Sequence, residues 1–298
     1  MRRHINVKAI LKVMTVVLCI TVSVFCFLSV DNRLFELRQV LERSDGEDYV
    51  KVIDVGQGDS ILIHSNGYSA LIDTGTEESS NDLATVLRNE NVEIIDVLIL
   101  THLHTDHTGG VEYIFKNFEV HTLILPELTT FSDGIYSAEF AIDKITRSGG
   151  NLFKACEDMT FDIGDFTVTV IGAYYDIVDE NNRSLIIRAD IEGNSFLFTG
   201  DAEAKTERRL LEDKKNISCD VLKVGHHGSN TSTVREFLER ANPSYAAISV
   251  GKDNQYNHPH LATLKQLEKR GIEILRTDIK GDITFNIKNR KILVETEY

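Results

Sequence analysis

Apolar and polar positions divide the chain into unlike parts. From Val13 to Val30 the run VMTVVLCITVSVFCFLSV carries 18 residues without a charge, and about 17 to 25 apolar residues are what a helix needs to cross hydrocarbon. Residues 31–47 then place Leu34, Leu37, Val40 and Leu41 at helical spacing among charges, which predicts a short amphipathic spacer. From Tyr49 the pattern changes to short apolar runs broken by turn residues. YVKVIDV, the turn GQGD, SILIHS, the Asn66-Gly67 turn and YSALIDTG read as a strand meander. Beyond it the chain alternates, with strands at IIDVLILT, VHTLILP, FTVTVI, SLIIRADI, NSFLFTG, DVLKVG and SYAAISVG, and helices at about 80–90, from Gly109-Gly110-Val111 onward, and at about 202–213, 232–240 and 261–270. It finishes in strands IEILRT, DITFNI and KILVETE. Residues 1–30 therefore form a membrane anchor, 31–48 a juxtamembrane linker and 49–298 one α/β domain with mixed sheets.

The anchor is read as uncleaved. A signal peptide has a shorter apolar region followed by a small-residue cleavage site, whereas this run ends VFCFLSVDNR. Four Lys or Arg precede the span and three follow closely (Arg33, Arg38, Arg43), a bias towards a cytoplasmic N-terminus with the bulk of the chain outside, hence a single-pass protein of the cell membrane.

Charge narrows the partners. The chain carries −14 in total, and because its first 30 residues hold four basic and no acidic side chains, residues 31–298 hold 28 basic and 46 acidic groups. Affinity for phosphates comes mainly from Lys and Arg, so this balance argues against a surface that coats DNA generally and leaves room for a local groove, for which Lys205, Arg208, Arg209, Lys223, Lys252, Arg276 and Lys280 are the candidates. Cys19 and Cys26 share a face of the span and pack there. Cys156 and Cys219 form no C-x-x-C pattern, so neither a zinc knuckle nor a redox motif is supported. A disulfide between them is allowed but not indicated.

The chemistry concentrates in T-H-L-H-T-D-H-T-G-G, residues 101–110. The segment leaves an apolar strand and enters a Gly-rich helix start, so the chain turns at the carboxyl end of a strand, where α/β folds gather functional groups. His102 and His104, two apart in extended chain, point to one side and can share an ion. Asp106 and His107, past the turn, can reach a second ion nearby. Further candidates each follow another apolar strand: Asp201 in T-G-D, His226 and His227 in G-H-H-G-S, and His258 and His260 in N-H-P-H. Alone, Asp201 reads as a helix cap and His258 as a solvated loop residue. Beside the 102–107 cluster they read as ligands and catalytic groups.

Taken in order, DVGQGDS, LIDTG, THLHTDHTGG, FTGD, KVGHHGS and ISVGKDNQYNHPH resemble the metallo-β-lactamase-fold domain of ComEC-type competence proteins, which take up DNA. The resemblance runs from about Val50 to the C-terminus. It implies an αββα sandwich, preceded here by the N-terminal transmembrane helix, with two divalent metal ions, Zn²⁺ or Mn²⁺, at one edge. It also implies that Asp73 and Asp59 stand behind the metal ligands, with Asp73 holding a ligating histidine. The multi-spanning channel of the full transporter is missing. Many superfamily members also carry a further histidine before the strand pair leading to T-G-D, yet here that window reads DENNRSLIIR. The first ion is then left with His102, His104 and a bridging Asp201, and the second takes Asp106, His107, Asp201 and His227.

Two cations of this kind suit hydrolysis of a phosphodiester. The expected mechanism has Asp106 orienting the attacking hydroxide, with His226 or His258 touching the non-bridging oxygens or protonating the leaving group. Three functions compete. The chain is a membrane-anchored extracellular nuclease acting on DNA, a phosphodiesterase for a small or wall-linked diester such as phosphorylcholine, or a non-catalytic docking module of a DNA-uptake or envelope assembly. The intact ligand set argues against the third.

Overall fold

A computed structural model of the chain describes residues 47–128 and 132–298. The anchor and nearly all of the linker, residues 1–46, lie outside the described residues. Among the described residues no helix is long and apolar enough to cross a membrane.

Among the described residues fifteen strands form two sheets. The first joins β1 (Asp48–Val52), β2 (Ile61–Ser65), β3 (Tyr68–Ile72), β4 (Ile94–Ile99), β5 (Glu119–Leu125), β6 (Asn151–Lys154), β14 (Ile283–Lys288) and β15 (Lys291–Thr296) in the order β15-β14-β1-β2-β3-β4-β5-β6. The second joins β7 (Met159–Ile163), β8 (Phe166–Gly172), β9 (Ile186–Ile191), β10 (Asn194–Phe198), β11 (Val221–Lys223), β12 (Tyr245–Ile248) and β13 (Glu273–Arg276) in the order β13-β12-β11-β10-β9-β8-β7. Each sheet is antiparallel over one part and parallel over the other. Pairing turns parallel from β3 to β6 in the first sheet and from β10 to β13 in the second.

The alternation seen in the sequence explains the layers. Val50, Val52, Ile61, Ile63, Ile72 and Phe285 from the first sheet meet Phe161, Phe166, Val168, Ile187, Phe196 and Phe198 from the second in a buried core between them. The other faces are covered by helices. α1 (Ser80–Asn89), α3 (Val111–Asn117) and α4 (Ile135–Ser148) bury Leu83, Leu87, Ile114, Ala138 and Ile145 against the first sheet. α5 (Ala204–Glu212), α6 (Arg235–Ala241) and α7 (Leu261–Glu268) bury Leu210, Phe237, Leu238 and Leu267 against the second. Two single-turn helices, α2 (Thr105–Thr108) and α8 (Thr277–Lys280), complete the set. Two sheets flanked by helices make the αββα sandwich.

Beyond the single-turn helices, three elements among the described residues went unread in the pattern. The buried stripe of α4 is Ala138, Ala141 and Ile145, too small a set of side chains to stand out as an apolar period. β6 is short and only half buried, and β7 is the exposed edge of its sheet. Cys156 is exposed, Cys219 is buried and both are free thiols.

Candidate metal centre

Parallel strands deliver the site. The loops after β3, β4, β10, β11 and β12 carry Asp73, the 101–108 segment, Asp201, the His226-His227 pair and His258 to one rim of the sandwich. Local backbone has been bent to do so. Asp73, His226 and His227 all hold positive φ, at 59°, 49° and 50°, a region that costs a side-chain-bearing residue roughly 1–2 kcal/mol and collects at functional sites. Close packing pins the loops together. A Cβ on Gly58 of the GQGD turn would collide with the Asp106 carbonyl oxygen, and the neighbouring Asp59 N–H donates to that oxygen at 3.2 Å.

Four side chains meet at the floor. Ligand atoms from Asp106, His107, Asp201 and His227 all lie within 4.8 Å of one another. His107 Nε2 is 3.3 Å from Asp201 Oδ1, while His227 Nε2 is 3.2 Å from Asp106 Oδ2 and 3.5 Å from Asp201 Oδ2. The far nitrogen of each ring is tied down. Nδ1 of His107 donates to Asp73 Oδ2 at 2.8 Å, and Nδ1 of His227 donates to the Ser249 carbonyl at 3.0 Å. A second tie runs through Thr101, whose hydroxyl gives its one proton to Asp73 Oδ2 at 2.6 Å. That hydroxyl must then accept from His102 Nδ1, 3.1 Å away. Asp73 thereby sets the tautomer of two histidines, and in His102, His107 and His227 alike it is Nε2 that is left for the site.

His102 and His104 form a separate pair. Nε2 of His102 sits 3.1 Å from Nδ1 of His104, and the His102 ring lies 4.1 Å from that of His107. His226 and His227 diverge, their planes 67° apart. His227 is buried on the floor, whereas His226 is part-exposed, with Nδ1 3.1 Å from Glu203 Oε1 and Nε2 3.8 Å from Asp201. His258 packs 5.4 Å from the His226 ring and 4.9 Å from that of His260, so His260 lies one ring further out. Asp59 stands behind His227, 3.4 Å from its Nδ1, and pairs at 2.7 Å with the fully buried Lys223.

Electrostatics follow from this packing. Burial alone would raise Asp106 and Asp201, yet the adjacent His107 and His227 hold both carboxyls well below the usual range. Burial likewise works against charge on His107 and His227, but Asp201 and Asp106 outweigh it and push His107 up, and His227 to about 10. His102 goes the other way. Burial, then the neighbouring His107, keep it neutral far below the ordinary imidazole value. His258 falls to about 4 through burial and the surrounding His227, His226 and His260. Burial would raise Asp59, but Lys223 and His227 hold it at about 2.

The donor set fits a cation. His107 Nε2 and Asp201 Oδ1 are buried 3.3 Å apart as an ion pair without hydrogen-bond geometry. Two imidazoles and two carboxylates are a donor set that divalent first-row metals take. Above the floor a cleft of about 950 Å³ opens, lined among others by Glu77, Glu78, Glu112, Asp133, Tyr113 and Lys116. None of the seven basic residues considered for a groove lines it. Lys223 is consumed by Asp59, Arg276 by Asp278 and Arg209 by Asp213. Sequence reasoning missed Thr101, Glu203 and the Lys223–Asp59 pair, because no spacing rule links residues that meet only across the sandwich.

This fold and this convergence define a class, and comparison agrees with it: residues 53–252 match the Metallo-beta-lactamase superfamily, whose members are generally metal-dependent hydrolases, and the chain belongs to it. Among curated proteins it is similar to ComE operon protein 3 of Bacillus subtilis (strain 168), 35% identical over 271 residues covering 83% of this chain and 34% of that protein. It is also similar to Competence protein ComA of Neisseria gonorrhoeae, 32% identical over 245 residues covering 82% of this chain and 33% of that one. The chain thus spans about a third of the length of these relatives. Among solved structures, the metallo-beta-lactamase fold protein YhfI from Bacillus subtilis superposes with a TM-score of 0.51 at 14% identity, covering 77% of this chain and 96% of that one.

Proposed function

We propose that the chain is a metal-dependent phosphodiesterase acting on DNA, held at the cell membrane by residues 13–30 with the catalytic domain outside. The observation that carries this reading is the floor of the cleft, where ligand atoms of Asp106, His107, Asp201 and His227 lie within 4.8 Å of one another and His107 Nε2 and Asp201 Oδ1 have no hydrogen-bond partner. These four would hold one divalent ion, with His102, His104 and Asp201 holding a second. Bound there, such ions lower the pKa of water and neutralise charge on a phosphate.

The chain's own residues supply the rest. Asp73 and the Ser249 carbonyl fix Nδ1–H of His107 and His227, so the Nε2 lone pairs stay on the site. Asp106, the one part-exposed member of the floor, orients the attacking water from the cleft side. His226 is tethered through Nδ1 to Glu203 and presents Nε2 beside Asp201. It binds a non-bridging phosphate oxygen or protonates the leaving oxygen, with His258 packed against it. Similarity to competence proteins supports DNA as the diester.

One observation favours a second substrate. Four carboxylates against one lysine on the upper walls of the cleft suit a small or wall-linked diester better than a polyanion. A side-by-side assay of the full chain in detergent, with Mn²⁺ or Zn²⁺, against single-stranded DNA, double-stranded DNA and a bis-aryl phosphodiester separates the two. Metal-dependent cleavage of DNA supports the first reading. Hydrolysis of the bis-aryl diester with DNA untouched moves the assignment to the small diester, and failure on all three removes the enzymatic reading.

A further inference from the structure

The window DENNRSLIIR, where many relatives of this fold keep one more histidine, carries a different donor. Asn181 opens a single turn of 3₁₀ helix, Asn181–Arg183, and lines the cleft together with His104, Asp106, Asp201 and His227. Its Oδ1 is buried and has no hydrogen-bond partner. A side-chain amide left in that state loses its water without return, a cost of about 1–3 kcal/mol.

The residues on either side show how firmly the turn is seated beside the His102–His104 pair. Glu180 accepts the Leu103 N–H, between the two histidines, at 3.1 Å. Leu185 N–H donates to the Thr101 carbonyl at 2.9 Å, and Ser184 Oγ accepts from the Asp201 N–H at 3.1 Å. Asn182 is locked by Asp179 and Glu203 on one side and by Thr206 on the other. The backbone around Asn181 is therefore fixed to both the histidine loop and the Asp201 loop, and the one side chain of the turn left without a partner for its oxygen is the one on the cleft.

We infer that Asn181 Oδ1 is a ligand of the first metal ion, completing with a carbonyl oxygen the shell that His102, His104 and Asp201 leave open. This rests on the two-metal reading of the site. A neutral oxygen in place of a further imidazole leaves the first site with two imidazoles, the shared carboxylate and an amide, a donor set less biased towards Zn²⁺ than three imidazoles would be.

Metal content of the full chain in detergent, measured by elemental analysis after equilibration with Mn²⁺ and by titration calorimetry, tests this without reference to turnover. The wild type should hold two Mn²⁺ ions. Asn181→Leu should keep the second-site ion and weaken the first by roughly ten- to a hundredfold, the scale on which losing a supporting group loosens a metal site. Asn181→Asp should retain both, and Asn181→His should retain both while raising the share of Zn²⁺ under competition. Two ions bound with unchanged affinity in Asn181→Leu would overturn the assignment and leave the two-metal reading standing, and so would equal losses in the Leu and Asp variants, because a packing role does not distinguish them. A wild type with no ion at all would overturn both.

Discussion

The floor of the cleft and the His102–His104 pair sit side by side yet solve different problems. On the floor two histidines are interleaved with two carboxylates, each ring is tied at Nδ1, and charge balances. The pair has no carboxylate of its own: His102 Nε2 faces another imidazole nitrogen at 3.1 Å, and His102 is held neutral. The floor is a charge-compensated cluster, three of its four members buried. The pair is a half-site that, on the proposed two-ion reading, would need Asp201 and Asn181 to become a full one.

The contrast breaks most completely at the residue the two regions share. Asp201→Ala should cost both ions and reduce turnover by more than about a thousandfold, in line with removal of a residue that others act through. Retention of either ion at wild-type affinity would show that the regions are independent. A narrower cut separates floor from wall. His227→Ala should lower metal content and turnover together, whereas His226→Ala should keep both ions and cut turnover by about a hundredfold. The reverse pattern in metal analysis and rate would exchange the two roles.

Asp73 offers a way to loosen both regions at once without touching a ligand, since it orients His107 directly and His102 through Thr101. Asp73→Asn should weaken binding of both ions by roughly ten- to a hundredfold, and calorimetry showing a change at one ion alone would sever the Thr101 relay.

The smallest effect is a matter of protons. His107 and His227 carry folded values above their unfolded ones, about 10 for His227. Their contribution to the metal-free fold is thus complete below about pH 6.5 and is lost as pH rises towards 10. A cation must displace those protons, so loading the floor near neutral pH should release about two protons per ion and tighten as pH rises. Calorimetry in buffers of different ionisation enthalpy reads that number. The melting temperature of metal-free chain should fall between pH 7 and 10, and parallel curves with and without metal would contradict it.

How much of this lay in the sequence divides along the same line. Period-two strands and the strand-end position of THLHTDHTGG, FTGD and KVGHHGS were legible, because strand ends in an α/β fold converge on one rim whatever their order. The four floor residues come together as a single cluster for that reason. What was not legible depends on contacts across the sandwich. Lys223 reads as a surface cation but ends fully buried on Asp59, and the relay from Asp73 through Thr101 needs the register of β3 on β4. Nothing in DENNRSLIIR alone says that one of its asparagines lines the cleft that His104 also lines.

On the reading proposed here, this rim is a two-ion centre built on Asp201. Elemental analysis of the full chain, purified gently and reconstituted with Mn²⁺ or Zn²⁺, measures it directly. The wild type should hold about two ions per chain, and Asp201→Ala neither at native affinity. A wild type that takes up no transition metal would contradict it.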